Sequence, residues 1–523
     1  MHITKSRIIV AILLMSFFMQ TSLFIFSKSS TWDETHYFGM GKYLLQHQRW
    51  DVQGAIIHPP FSYYLSSIPL LFFKYDESLW KPSYGTPSFD FLSNVDVLRG
   101  QSILSSPANK GDRLLILSRT MFALLGVALG YAVFCFSRSL YGANAGLFSL
   151  LLYSFSPNML AFSGLTVPDL PLTAFIFMFV FFLWRHTDGQ GKSNIILAGI
   201  CMGIALLCKL TALLLFPAVT ILSALKSKKH WWQVVTNSFI IWSIAILVLT
   251  IGYGFNLTPY YQGLQLQLNS ADSFLMGTNS SSGWWYYYLV AFMIKTRIPV
   301  IVLFAISVVF LAKKRGNELC DGLFLVLPII AFFALFCILP KCSGIRYILP
   351  VYPFIYVLIG SFATYLNNYR KLFYAIGIWS VVSSLYVAPH YMSYFNELIG
   401  GSGNGYKYLV DSNVDWGQEL KGLKKYMDKN GIERVSLSYF GTDSPQRYGI
   451  QYDWLPSFFL YNQNPEKEVD IFRNRYLAIS ATNLQGTQLE DKNMFKWLMQ
   501  YEPVAKIGYS IFIYDLAAVI KSQ

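Results

Sequence analysis

Long apolar runs recur along this 523-residue chain. They lie at Ile8 to Phe26, Leu114 to Phe136, Ala145 to Phe162, Leu170 to Trp184, Ile195 to Cys208, Thr211 to Leu225, Val234 to Tyr253, Ile298 to Ala312, Leu323 to Leu339, Tyr347 to Leu366 and Leu372 to Ala388. A helix crosses a bilayer core in roughly 20 mostly apolar residues, and it is one of two backbone forms that leave no polar group unpaired there. Hydrophobic residues make up 54% of the chain and charged ones 13%, the latter about half the usual share in a soluble domain. The expectation is a mainly α, polytopic membrane protein with about 11 transmembrane helices. No small-residue cleavage site follows the first run, which therefore reads as a retained anchor rather than a signal peptide.

The formal charge of +13 raises the question of a nucleic-acid partner. The basic residues answer it, because they sit in small clusters between apolar runs instead of along one face. With a cytoplasmic N-terminus and alternating runs, the inner loops hold Arg138, then Arg185 and Lys192, then Lys226, Lys228 and Lys229, then Lys313, Lys314 and Arg315, and finally Arg370 and Lys371. All fall on one side, as the positive-inside rule requires. The six cysteines show no CxxC or Cys/His spacing, which supports neither a disulfide framework nor a zinc site.

The same count places three long polar segments outside: 27–112, 254–297 and everything after about 390. Residues 1–390 thus form a membrane module with two outer loops, and 391–523 a small extracytoplasmic α/β domain. In that domain Glu419 to Lys429 has helical spacing, Arg434 to Tyr439 and Tyr476 to Ser480 alternate like strands, Phe495 to Gln500 reads as helix and Ile507 to Tyr514 as a final strand. Phe61 to Phe73, in the first outer loop, reads as an amphipathic helix.

Several polar residues sit where an apolar wall meets water. Asp33 and Glu34 directly follow the first run; they are either helix N-terminal acids or a general base and its neighbour. Asp169 lies between two prolines at an outer end, and is either an N-cap or a functional acid. Lys341 and Arg346 put positive charge on the outer side against the topology rule, which suits an anionic ligand such as phosphate; Lys209 is a weaker instance. His58 precedes two prolines and is rigidly presented. Trp284 and Trp285, in Gly283-Trp284-Trp285-Tyr286-Tyr287-Tyr288, fit an interfacial belt or a sugar or lipid groove. The candidate catalytic residues are Asp33, Glu34 and Asp169; the candidate substrate-binding residues are His58, Lys209, Trp284, Trp285, Lys341, Arg346 and Tyr347. No metal ligand set is evident.

An Asp-Glu pair after the first span and a His-Pro-Pro in the same loop resemble the membrane glycosyltransferases of the GT-C class. The likeness is to family 39, the protein O-mannosyltransferase and aminoarabinose transferase group. Gly283 to Tyr287, Arg346-Tyr347-Ile348-Leu349-Pro350 and Ser412-Asn413-Val414-Asp415-Trp416-Gly417-Gln418 are similar to its bacterial members. The resemblance implies a GT-C fold and an inverting transfer of sugar from a polyprenyl-phosphate donor on the extracytoplasmic face of the cell inner (plasma) membrane. It implies Asp33 as base with Glu34 its partner, Asp169 as second acid, and Arg346 with Lys341 on the lipid phosphate. A divalent metal is allowed by the wider class but not demanded. The C-terminal domain lacks the β-trefoil pattern of eukaryotic protein mannosyltransferases, so the acceptor, whether lipid, glycan or protein, stays open. The alternative reading is a transporter or flippase of a lipid-linked saccharide, whose ionisable groups belong near mid-membrane.

Overall fold

Each apolar run is helical in the computed structural model, which describes all residues except 1, 79, 86–94, 227–230, 268–271, 340, 366–367, 459–469 and 522–523. Lys228 and Lys229 of the inner charge clusters lie outside the described residues. Five helices are long and apolar enough to cross a bilayer: Ser6–Ser27, Gly111–Tyr141, Asp169–Thr187, Trp231–Gly252 and Gly316–Ile338. Two bent pairs raise this to seven, Ala143–Ser154 with Pro157–Ser163 at 66° and Tyr287–Lys295 with Ile298–Ala312 at 119°. Both second members carry proline in their first turn, a position that tolerates the missing N–H but cannot extend the helix before it. Among the described residues, length and apolarity therefore vouch for five to seven crossings of the eleven expected. The protein is a multi-pass membrane protein, mainly α.

The segment expected as the first outer loop carries short helices, Glu34–Tyr37, Met40–His47, Gln53–Ile56, Phe61–Ser67 and Val95–Ser105. The single helix expected over Phe61 to Phe73 is instead an α-helix to Ser67 and a 3-10 turn, Pro69–Phe72. Pro69 accounts for the change, since its ring clashes with a continuing α-helix.

The C-terminal region holds a five-stranded mixed sheet in the order Gln451–Trp454, Arg434–Ser438, Tyr476–Ser480, Ile511–Asp515, Ala505–Ile507. The first three strands run parallel and the last two pairings are antiparallel. Leu420, Leu423 and Met427 of the Leu420–Lys429 helix pack on it with Val435, Leu437 and Ile513. The last stretch departs from expectation: Ile507 to Tyr514 is a hairpin turning through Gly508 and Tyr509, both at positive φ. Phe495 to Gln500 is 3-10 over Lys496–Gln500, and Gln451–Trp454 is a strand that alternation did not disclose.

This domain sits directly on the chain leaving the first helix. Ser29 N donates to Gln418 O at 3.1 Å and Trp32 N to Trp416 O at 2.8 Å. Trp32 stacks on Phe440 at 5.0 Å between centroids, and Ser30 N donates to Asp443 Oδ2 at 3.2 Å. Buried Lys28 pairs with Glu419. Residues 28–32 are thereby held from above, which fixes where Asp33 begins.

Candidate active site

Asp33 precedes the Glu34–Tyr37 helix, but its carboxylate caps nothing. It accepts a hydrogen bond from Arg346 Nη1 at 2.7 Å, across 313 residues of sequence. The Asp33 side chain is 22% exposed and that of Arg346 11%. The guanidinium lies over the Trp416 ring at 4.2 Å, so the C-terminal domain supplies one wall. Asn413 braces the same turn: its Oδ1 accepts from Ile345 N at 2.9 Å, and its Nδ2 donates to Tyr287 Oη at 3.0 Å. Ser412 Oγ donates to Ser343 O at 2.8 Å.

Asp169 opens the Asp169–Thr187 helix without capping it. Its Oδ1 accepts from Lys209 Nζ at 2.8 Å. Its Oδ2 is buried, has no hydrogen bond among the described residues, and lies 3.9 Å from Arg346 Nη1. Lys209 reaches it because the chain is fully extended there (φ −160°, ψ 144°) between the Ser193–Cys208 helix and the 3-10 turn Leu210–Leu214. Lys209 Nζ also sits over the Tyr347 ring at 3.8 Å. Two acids and two cations thus alternate from Asp33 through Arg346 and Asp169 to Lys209.

A cavity of about 250 Å³ adjoins this chain of charges. His58, Lys209, Lys341 and Tyr347 line its polar end, and Leu213, Leu335 and other leucines its apolar end. Lys341 Nζ donates to Gln267 Oε1 at 2.6 Å. Burial, then the charges of Lys209 and Arg346, bring its ammonium down to about 8, with Asp33 opposing. His58 is pushed well below the ordinary imidazole range by burial first, then by His36 and the three cations, so near neutral pH it is uncharged.

Of the two roles open to a carboxylate beside Asp33, to position it or to share its proton, the contacts of Glu34 fit the first. Glu34 is fully buried and takes Arg119 Nε at 2.8 Å and Nη2 at 2.5 Å. It also accepts from Thr31 N at 2.8 Å and Thr166 N at 3.0 Å. Both oxygens are spent, and Glu34 holds the Asp33 turn to the Gly111–Tyr141 helix and to the segment before Asp169. Removing one member of such a pair leaves a buried charge unpaired, at about 3–5 kcal/mol.

Of the two readings of Trp284 and Trp285, the exposure of Trp285 fits an interfacial belt rather than a substrate groove. Trp285 is 66% exposed, and Trp284 contacts the 341–344 turn through its backbone N–H, which donates to Cys342 Sγ at 3.4 Å. The inward face of this aromatic run is Tyr287 and Tyr288, both buried; Tyr288 Oη donates to Lys341 O at 2.5 Å. Helical spacing alone could not say which of five successive rings point inward. Asp411 was missed as well. It holds φ at 57°, rare for a residue other than glycine, and burial raises its carboxyl to about 7 against the pull of Arg346. The available signal was its place directly before the Ser412 to Gln418 motif.

Among the described residues no three His, Cys, Asp or Glu side chains come together as a metal site. Asp33 and Asp169 face cations of the chain itself, a donor set that does not fit a divalent ion.

Residues 116–253 match the model of the family described as dolichyl-phosphate-mannose-protein mannosyltransferase. Over that segment, about a quarter of the chain, the protein is similar to the glycosyltransferases of family 39 in the GT-C class. The matched segment contains Arg119, Asp169 and Lys209. The family so described is one of glycosyltransferases, the enzyme class of the leading reading. No curated protein matches the chain. Among solved structures, the chain is similar to ArnT from Cupriavidus metallidurans bound to undecaprenyl phosphate, with 12% identity, 97% of each chain covered and a TM-score of 0.47. It is similar to the Archaeoglobus fulgidus oligosaccharyltransferase in its apo form, with 13% identity, 73% of this chain and 54% of that one, and a TM-score of 0.41. For the S. cerevisiae Pmt1-Pmt2 complex bound to the sugar donor the values are 14%, 53%, 40% and 0.36.

Proposed function

We propose that this glycosyltransferase is inverting and takes its sugar from a polyprenyl-phosphate donor on the extracytoplasmic face of the plasma membrane. The observation that carries the reading is the Asp33 to Arg346 contact of 2.7 Å beside a cavity with a cationic end and an aliphatic end. Such a cavity suits a lipid phosphate, charge at one end and chain at the other. In the reaction, an Asp33 oxygen takes the proton of an acceptor hydroxyl or amine. The freed lone pair forms a bond to the anomeric carbon as the bond from that carbon to the phosphate oxygen breaks. The lipid phosphate leaves with the bonding electrons, its charge met by Lys341 and by Arg346 once Asp33 is protonated. Asp169 holds Lys209 and Arg346 in place, Glu34 positions the turn, and uncharged His58 and Tyr347 shape the pocket. The eleven-pass topology with a cytoplasmic N-terminus belongs to this reading, since it puts Asp33 and the C-terminal domain outside.

The test is Asp33→Asn in the full-length protein. Transfer should fall by about 10² to 10⁴, the usual contribution of a general base, while membrane insertion and a cooperative melting transition are retained. Mass analysis of glycolipids from cells carrying either form reads the result, with a polyprenyl-phosphate sugar accumulating in the variant. Undiminished transfer by Asp33→Asn removes the assignment.

A further inference from the structure

A second groove, of about 620 Å³, lies between the Gly111–Tyr141 and Asp169–Thr187 helices, far from Asp33. Arg119, which holds Glu34, and Arg138, on the groove, are 19 residues apart on one continuous helix. At 1.5 Å per residue that is about 28 Å, close to the hydrocarbon thickness of a bilayer. The groove therefore opens at the membrane face opposite the candidate active site. Its walls are apolar, with small Ala128 and Ala132 on one helix facing Met178 and Phe182 on the other. Its rim carries Arg138 and Arg185.

Neither arginine has an ion pair among the described residues. Asp188, three residues beyond Arg185, and Asp321 are both engaged by Lys226, each at 2.6 Å. Two unneutralised guanidiniums above an apolar slot match a molecule with a phosphate head and acyl chains, and an arginine holds a phosphate by two parallel hydrogen bonds. Basic pockets between transmembrane helices are a known form of anionic headgroup recognition.

We propose that this groove is a binding site for an anionic phospholipid of the leaflet opposite the active site. The phosphate lies between Arg138 and Arg185 and an acyl chain occupies the slot between the two helices. The lipid would tie together the helices that carry Arg119 and Asp169, at the end remote from the chemistry. The proposal does not rest on the identity of the sugar donor.

Purified full-length protein is equilibrated with equimolar phosphatidylglycerol and phosphatidylcholine, and the lipids that survive transfer are counted by native mass spectrometry. Wild type should retain phosphatidylglycerol in preference, and inorganic phosphate should fail to displace it. Equal retention of the two lipids, or displacement by phosphate alone, overturns the proposal. Each arginine removed costs about fivefold, so Arg138→Gln with Arg185→Gln should weaken retention about thirtyfold. Should that double variant not fold, Ala132→Trp fills the slot and leaves both arginines, and it should lose the same lipid. Undiminished retention by whichever variant folds overturns the site.

Discussion

Arg346 contacts Asp33 and lies near Asp169 while its face is covered by Trp416, so it meets the site with little freedom of its own. Lys341 is different: its ammonium, brought down to about 8 mainly by burial, is charged below that pH and neutral above it. If it neutralises the departing phosphate, kcat/KM should decline as pH rises through about 8. The decline should move upward in Lys341→Arg, whose guanidinium stays charged. Initial rates between pH 6 and 10 check this; a profile identical in both proteins would place Lys341 outside the reaction. Asp33, Asp169, Lys209, Lys341 and Arg346 were all legible in the sequence, because a charged residue at the edge of an apolar run is costly enough to mark itself. Trp416 and Tyr287 stood out only as members of motifs, with no role assigned, and Asp411 did not stand out at all. Their positions depend on how the C-terminal loop folds back over the 343–347 turn, a contact no local pattern encodes.

Between residue and fold stand the elements that hold the Asp33 turn. Helix Val95–Ser105 packs Gly100 against the backbone of Thr35, so closely that an added Cβ would fall 1.8 Å from Thr35 O. A backbone atom cannot step aside as a flexible side chain can. Gly100→Ala should cost about 1–3 kcal/mol through overpacking and displace the turn carrying Asp33, lowering transfer without altering any charged group. Thermal melting and turnover measured together test it, and a variant as active and as stable as wild type would show that the helix does not set the turn. The helices themselves were readable because apolar runs of this length admit few other structures in a bilayer. What escaped were the interruptions. The bends before Pro157 and Pro299 and the hairpin inside Ile507 to Tyr514 each depend on a few residues within an otherwise continuous pattern, whereas the break at Lys209 already parted two runs in the sequence.

On the scale of the whole molecule, the chain's two ends build one site. The first helix delivers residues 28–33 upward, and the C-terminal domain receives them through Gln418, Trp416, Phe440 and Asp443. The C-terminal domain is also tied to the start of the Gly111–Tyr141 helix, where Asp112 meets Arg447 and, at 3.1 Å, Lys421. This arrangement demands that both lie on one side of the membrane. A reporter fused after residue 315 should therefore score cytoplasmic and one after residue 420 external, and the reverse pair would refute the topology. It also makes the C-terminal domain part of the candidate active site, since Asn413 holds the turn bearing Arg346 and Trp416 covers the guanidinium. A chain ending at residue 390 would leave Lys28 buried without Glu419, or draw it into water along with the Asp33 turn, because an unpaired buried ammonium is too costly to persist. Such a truncation should still insert, yet lose transfer to background and become cleavable by protease within 28–112. Should the truncated chain transfer sugar at the wild-type rate, the domain is a passenger and Arg346 finds its place from the membrane helices alone.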